Sequence, residues 1–138
     1  MADTTINELD RLDRAFAGNL LLATFSADVR ALFEPHADII EFGVGEHVQS
    51  RGRDVEWSYF PFETTMISLV VELDDGRSVQ VASIGREGAV GGIVSCGHAP
   101  AFADAQVMVG GPAMRVPMKI LEEVKGSSSF VANIFCGF

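Results

Sequence analysis

Cysteine is scarce in this chain: Cys96 and Cys136 are the only two among 138 residues, far apart and in no Cys-x-x-Cys pattern. A secreted disulfide scaffold requires more, so both are read as reduced thiols. No cysteine precedes Cys96, which excludes iron–sulfur ligation by an N-terminal cluster and leaves Cys96 as a structural thiol. Basic residues are also short, 10 Lys and Arg against 19 Asp and Glu, a formal net charge of -9. A surface that negative repels phosphate backbones and anionic lipid heads, so no direct nucleic-acid or membrane binding is expected. No uncharged run reaches the roughly 18 residues that a membrane-spanning helix requires. The N-terminus, Met-Ala-Asp-Thr-Thr, lacks a basic region followed by an apolar one, so it predicts no signal peptide and a cytoplasmic location.

Catalytic patterns are missing too. His36, His47 and His98 stand apart, without the His-x-His pair and nearby carboxylate that a metal-binding barrel would use, so no metal or other cofactor is expected. Gly91-Gly92 lacks both the Lys-Ser/Thr of a P-loop and the Gly-x-Gly-x-x-Gly spacing of a dinucleotide site. Ser68, Ser83 and Ser95 have no histidine–acid partners at suggestive positions. The chain is read as no enzyme.

What is present is the material of one globular domain, 48% hydrophobic and 21% charged over residues 1–138. Residues 1–36 form a helical lead-in. Leu9, Leu12 and Phe16 make one apolar stripe, and Ser26 caps a second helix whose Val29, Leu32 and Phe33 face inward until Pro35. Over residues 38–117 the texture becomes β. Short apolar runs at Ile39–Phe42, Glu46–Gln49, Trp57–Pro61, Met66–Leu73, Val79–Ile84, Ala105–Val109 and Ala113–Pro117 are bounded by Gly, Asp or Pro. Asp75-Gly76 between two alternating runs is the strongest hairpin signal. Met66, Ser68, Val70, Val79 and Val81 alternate as residues facing a barrel interior would. Residues 85–97 are too glycine-rich for a strand. Met118 to Lys125 predicts a short helix, and the uncharged run from Phe130 to Phe138 closes the C-terminal segment, 118–138. Strands this short and regularly spaced predict a closed β-roll.

The order of helices, roll, glycine-rich loop, last strands and helix resembles the N-terminal sensor domain of Crp/Fnr-type transcription regulators. The resemblance rests on Asn19-Leu20-Leu21-Leu22-Ala23, Tyr59-Phe60-Pro61, Ile67-Ser68-Leu69-Val70, Asp75-Gly76-Arg77-Ser78-Val79 and Ile84-Gly85-Arg86-Glu87-Gly88-Ala89-Val90-Gly91, and it covers roughly residues 19–125. It implies a mainly β fold, a cyclic-nucleotide-binding-type β-roll (double-stranded β-helix or jelly roll) with flanking N- and C-terminal helices. It also implies a phosphate-binding cassette in the glycine-rich loop, with Gly91, Gly92, Ile93, Val94 and Ser95 followed by Ala103 and Asp104 as ligand-binding positions.

Members that bind cyclic AMP carry a carboxylate for the ribose and, about ten residues later, an arginine for the cyclic phosphate. Those positions fall here on Gly92 and near Ala103, with Asp104 next. Losing a charge-assisted bidentate pair costs on the order of 2–5 kcal/mol, so the expected effector is a small molecule other than cyclic AMP. The resemblance further implies a homodimer through the C-terminal segment. Because the chain stops at Phe138, the helix-turn-helix half that reads DNA is expected to be missing. A metal-dependent cupin-like enzyme and a ligand-free interaction module stay open as alternatives.

Overall fold

A computed structural model describes residues 4–91 and 103–127, with side chains over 9–91 and 103–124. Helix α1 (Thr4–Gly18), a 3₁₀ turn at Leu22–Thr24 and helix α2 (Ala27–Phe33) precede the strands. Ser26 caps α2, its side chain accepting from the Val29 N–H at 3.3 Å. The strands are β1 (Asp38–Phe42), β2 (His47–Gln49), β3 (Trp57–Pro61), β4 (Met66–Glu72), β5 (Ser78–Ile84), β6 (Asp104–Val109) and β7 (Gly111–Pro117), and helix α3 (Met118–Ser127) follows. They form two antiparallel sheets, one in the order β1-β7-β3 and the other β2-β6-β4-β5. The Asp75-Gly76 hairpin is present between β4 and β5, with Gly76 at φ +86 and its N–H donating to the Leu73 carbonyl at 2.9 Å.

The three-stranded sheet has a core on each face. One face carries Phe60, Met114 and Val116 against Leu12, Ala15 and Phe16 of α1, Val29 and Phe33 of α2, and Met118, Leu121 and Val124 of α3. The other face turns Phe42, Tyr59 and Ala113 toward Ile67, Leu69, Ala103, Ala105 and Val107 of the second sheet, which makes the interior of the roll. Two helical stripes differ from expectation. Leu9 is 48% exposed and Leu32 is 45% exposed, so the buried stripes are Leu12-Ala15-Phe16 and Val29-Phe33.

The interior phase of the hairpin also differs. Ile67, Leu69 and Val71 belong to the inner cluster on β4, and Ala82 and Ile84 belong to it on β5. Met66 and Val70 lie in the opposite phase, Ser68 is buried outside that cluster, and Val79 and Val81 are 40% and 51% exposed. Two physical causes combine. Strand β4 is apolar on both faces, so alternation alone does not choose one. A bulge also intervenes, since Leu69 pairs with Ala82 but Val70 pairs with Gln80, leaving Val81 as the extra residue that reverses the phase.

Asn19 joins the helices to the roll. It is fully buried, and its amide donates to the carbonyls of Pro61 at 2.7 Å and Gly88 at 2.8 Å. Its Oδ1 accepts from the N–H groups of Leu21 at 3.0 Å and Leu22 at 3.1 Å. All four hydrogen-bonding positions of the side chain are thus filled. Asn19→Ala would leave two buried carbonyls and two N–H groups short of partners, with an expected loss of about 3 kcal/mol. Urea unfolding reads this directly, and an unchanged midpoint would mean that water replaces the amide.

Candidate functional site

The mouth of the roll is where the described chain leaves β5 for the cassette. Gly85 to Gly88 make a turn, and Val90 then pairs with Tyr59 through two 2.8 Å backbone hydrogen bonds. Gly91 follows at φ +94, and a Cβ there would stand 2.4 Å from the Trp57 carbonyl, so backbone packs on backbone. The Ser58 hydroxyl donates to the Gly91 carbonyl at 2.8 Å and fixes this approach. Of the expected ligand-binding positions, Gly92, Ile93, Val94 and Ser95 lie outside the described residues, as do Cys96, His98 and the run 128–138.

Ala103 and Asp104 are described, and they part company. Ala103 is fully buried in the inner cluster, on the interior wall of the roll, and its carbonyl accepts from Gln49 Nε2 at 3.2 Å. Asp104 points the other way, as alternation with buried Ala103, Ala105 and Val107 requires. Its Oδ1 accepts from the Arg51 N–H at 2.8 Å. Asp104, expected as a ligand-binding position, instead turns its carboxylate to the loop after β2 on the outer face.

A cleft of about 740 Å³ opens at this mouth, lined in part by His47, Gln49, Arg53, Glu56, Trp57 and Tyr59. His47 is exposed, with Nε2 2.7 Å from Ser50 Oγ, and among the described residues no group of three His, Cys, Asp or Glu side chains could hold a metal ion. Beside the cleft stands a residue that sequence reasoning passed over. Arg115 lies on β7 directly opposite Tyr59 of β3 and Asp38 of β1. It alternates with fully buried Met114 and Val116, which face the helices, so Arg115 faces the roll interior with Ala113. Its guanidinium stacks over the Trp57 ring at 3.9 Å from the centroid, and Nε lies 3.7 Å from Asp38 Oδ2. The signal for it was an arginine set in an otherwise apolar strand, in phase with inward residues.

Tyr59 is buried beside this group. Burial pushes its hydroxyl above the ordinary value near 10, while the Arg115 charge and hydrogen bond pull it part of the way back.

Sequence comparison finds no matching family model and no matching curated protein. Solved structures do match. The N-terminal domain of a transcriptional regulator from Streptomyces coelicolor is similar with a TM-score of 0.67 at 17% identity, over 88% of this chain and 84% of that one. The regulatory subunit of a cAMP-independent protein kinase A from Trypanosoma cruzi, bound to guanosine, is similar with a TM-score of 0.74 at 17% identity, over 89% of this chain and 43% of that one. A cyclic nucleotide-binding-like protein from Brucella abortus is similar with a TM-score of 0.61 at 19% identity, over 77% and 90%. The chain spans under half the length of the kinase subunits it matches. The fold is the cyclic-nucleotide-binding β-roll.

The sole tyrosine makes the electrostatics of this corner directly measurable. The native state holds the Tyr59 proton more tightly than the unfolded chain, so the stability it contributes is present below pH 10 and is lost as pH rises through the higher folded value. Tyrosinate absorbance is expected to titrate above 10 in the native protein and higher still in Arg115→Gln. A native midpoint at or below the denatured one would contradict this placement.

Proposed function

We propose that the chain is a regulatory, effector-sensing domain that takes a small molecule other than cyclic AMP in its β-roll and performs no catalysis. The observation that carries the reading is Ala103. It stands on the inner wall, where cyclic-AMP-binding relatives in the resembled family place an arginine, and it is fully buried. A methyl group offers a cyclic phosphate neither charge nor hydrogen bond, and desolvating a phosphate against it is unfavourable. The kinase subunit from Trypanosoma cruzi, bound to guanosine, supports the reading that a roll of this fold takes a ligand other than cyclic AMP. The regulator domain from Streptomyces coelicolor favours a role in transcriptional control. With a net charge of -9, direct contact with DNA by this chain would lack a favourable counterion-release contribution.

Calorimetry with cyclic AMP tests the central claim. No complex tighter than micromolar is expected, and a tight one-to-one complex would overturn it.

Self-association through residues 118–138 belongs to the same proposal. The described part of that segment does not carry it alone, because Met118, Leu121 and Val124 of α3 are buried against the chain's own first core. The pairing surface is then assigned to Phe130, Val131, Ile134, Phe135 and Phe138, where no charge interrupts the run. Burying each large apolar side chain is worth roughly 1.5–3 kcal/mol before association costs, so three or four suffice for a dimer. Light scattering is expected to give a dimer that Phe135→Ser with Phe138→Ser dissociates; a monodisperse monomer at high concentration would remove the idea.

A further inference from the structure

The geometry points to Arg115 as the oxyanion-binding residue of this roll: the cation missing at Ala103 is supplied from strand β7, and the effector is a small molecule bearing a phosphate or carboxylate. This inference rests on the effector-binding reading above and names the chemistry of its ligand.

Three observations on independent strands support it. First, Arg115 is on the inward face, in phase with Ala113 and across from Tyr59, at a distance in sequence from the cassette that no motif would connect. Second, its charge is held but not consumed. The Asp38 contact at 3.7 Å is an ion pair without a hydrogen bond, Asp38 is 58% exposed, the Tyr59 hydroxyl is a neutral partner, and the buried Arg115 Nε has no hydrogen-bond partner. An exposed pair of this length is weak, so an incoming oxyanion with bidentate geometry would compete with it. Third, the guanidinium is pre-oriented by stacking on Trp57, and its side chain stays 31% accessible. Pre-orientation cuts the entropy that a free arginine would lose on binding. Arg115 does not itself line the cleft, whose own cation is Arg53; it stands behind Trp57 and Tyr59, which do, so a ligand reaches the guanidinium past the Trp57 ring.

The negative groups nearby set the selectivity. Asp38 sits on Arg115 itself, and Glu56 and Glu46 act on Tyr59. A lone anion gains little against them. A molecule with one oxyanion and an uncharged body fits better, its body in the cleft and its charge on Arg115.

Trp57 is the sole tryptophan and touches both the cleft and the guanidinium, so its fluorescence reports ligand entry and the Arg115 variants separate out the stack. The full chain is titrated with guanosine, guanosine 5′-monophosphate, inorganic phosphate and acetate, by calorimetry and by Trp57 fluorescence. Guanosine 5′-monophosphate is expected to bind at least about tenfold more tightly than guanosine, since a charge-assisted contact is worth a factor of this order. Phosphate against acetate shows which oxyanion is preferred. Arg115→Gln should abolish the monophosphate's advantage, and Arg115→Lys should restore only part of it. If Arg115→Gln does not fold, Asp38→Asn decides instead, because removing the competing carboxylate should tighten monophosphate binding about threefold. Equal binding of guanosine and its monophosphate, unchanged by either substitution, would overturn the role of Arg115 and leave the effector reading standing. No binding by any of the four would overturn both.

Discussion

One buried amide holds the parts of this molecule in register. Asn19 sits between the end of α1 and the 3₁₀ turn that follows, where a side chain with two donors and two acceptors can satisfy groups on both sides. Its acceptor shapes the local turn, and its donors reach 42 and 69 residues along the chain to Pro61 and Gly88. The backbone adds a parallel tie, from the Leu20 N–H to the Arg86 carbonyl at 2.7 Å. An apolar residue at this position could fill the space but could not satisfy the carbonyls, and an unmatched buried carbonyl costs more than a hydrogen bond gains. The entry to the cassette is therefore fixed from behind by the helical lead-in, as well as by β3 in front of it through Val90 and Gly91.

That double constraint makes the corner around Trp57 and Tyr59 rigid. Strand β3 carries Phe60 into the helix-facing core and Tyr59 into the roll, both buried. A shift of β3 would disturb the cassette entry, the Arg115 stack and the α3 contact together, because the Met118 N–H donates to the Glu56 carbonyl at 2.9 Å. A change in the position of Arg115 is thus coupled by packing to the start of the C-terminal helix. Interfaces of this kind transmit small displacements because close-packed groups shift between discrete arrangements rather than deform.

The architecture was legible in the residues because its signals are local. Ser26 as a cap, Asp75-Gly76 as a turn, and seven short runs between breakers each depend on a few neighbouring positions, and strands formed at each of those runs. Phase was not legible where both faces of a strand are apolar. On β4 the choice between Met66-Ser68-Val70 and Ile67-Leu69-Val71 depends on what lies across the sheet, and the bulge at Val81 adds an unpaired residue that no alternation rule anticipates. Leu9 and Leu32 illustrate the same point for helices, since a periodic stripe gives a face but not its width. The site was half legible. Ala103 could be placed by counting from the turn, yet the outward turn of Asp104 required the β6 register, and Arg115 required the pairing of β7 with β1 and β3.

The absence of an arginine at Ala103 and the presence of one at Arg115 are best understood together. An interior guanidinium is costly to desolvate, so a roll of this size is not expected to keep one without compensation. At position 103 the described residues offer no carboxylate as compensation; the inner cluster around it is apolar and the neutral Gln49 amide is its polar neighbour. At position 115 the fold itself supplies it, through the Trp57 face, the Tyr59 hydroxyl and the half-exposed Asp38 carboxylate. A cation in the first position would leave the empty domain strained until a ligand arrives. A cation in the second leaves the domain stable without a ligand, its charge held between the Trp57 ring and the Asp38 carboxylate. On the proposed effector reading, the two arrangements suit different ligands, one a buried cyclic diester and the other an oxyanion at the end of a molecule with an uncharged body.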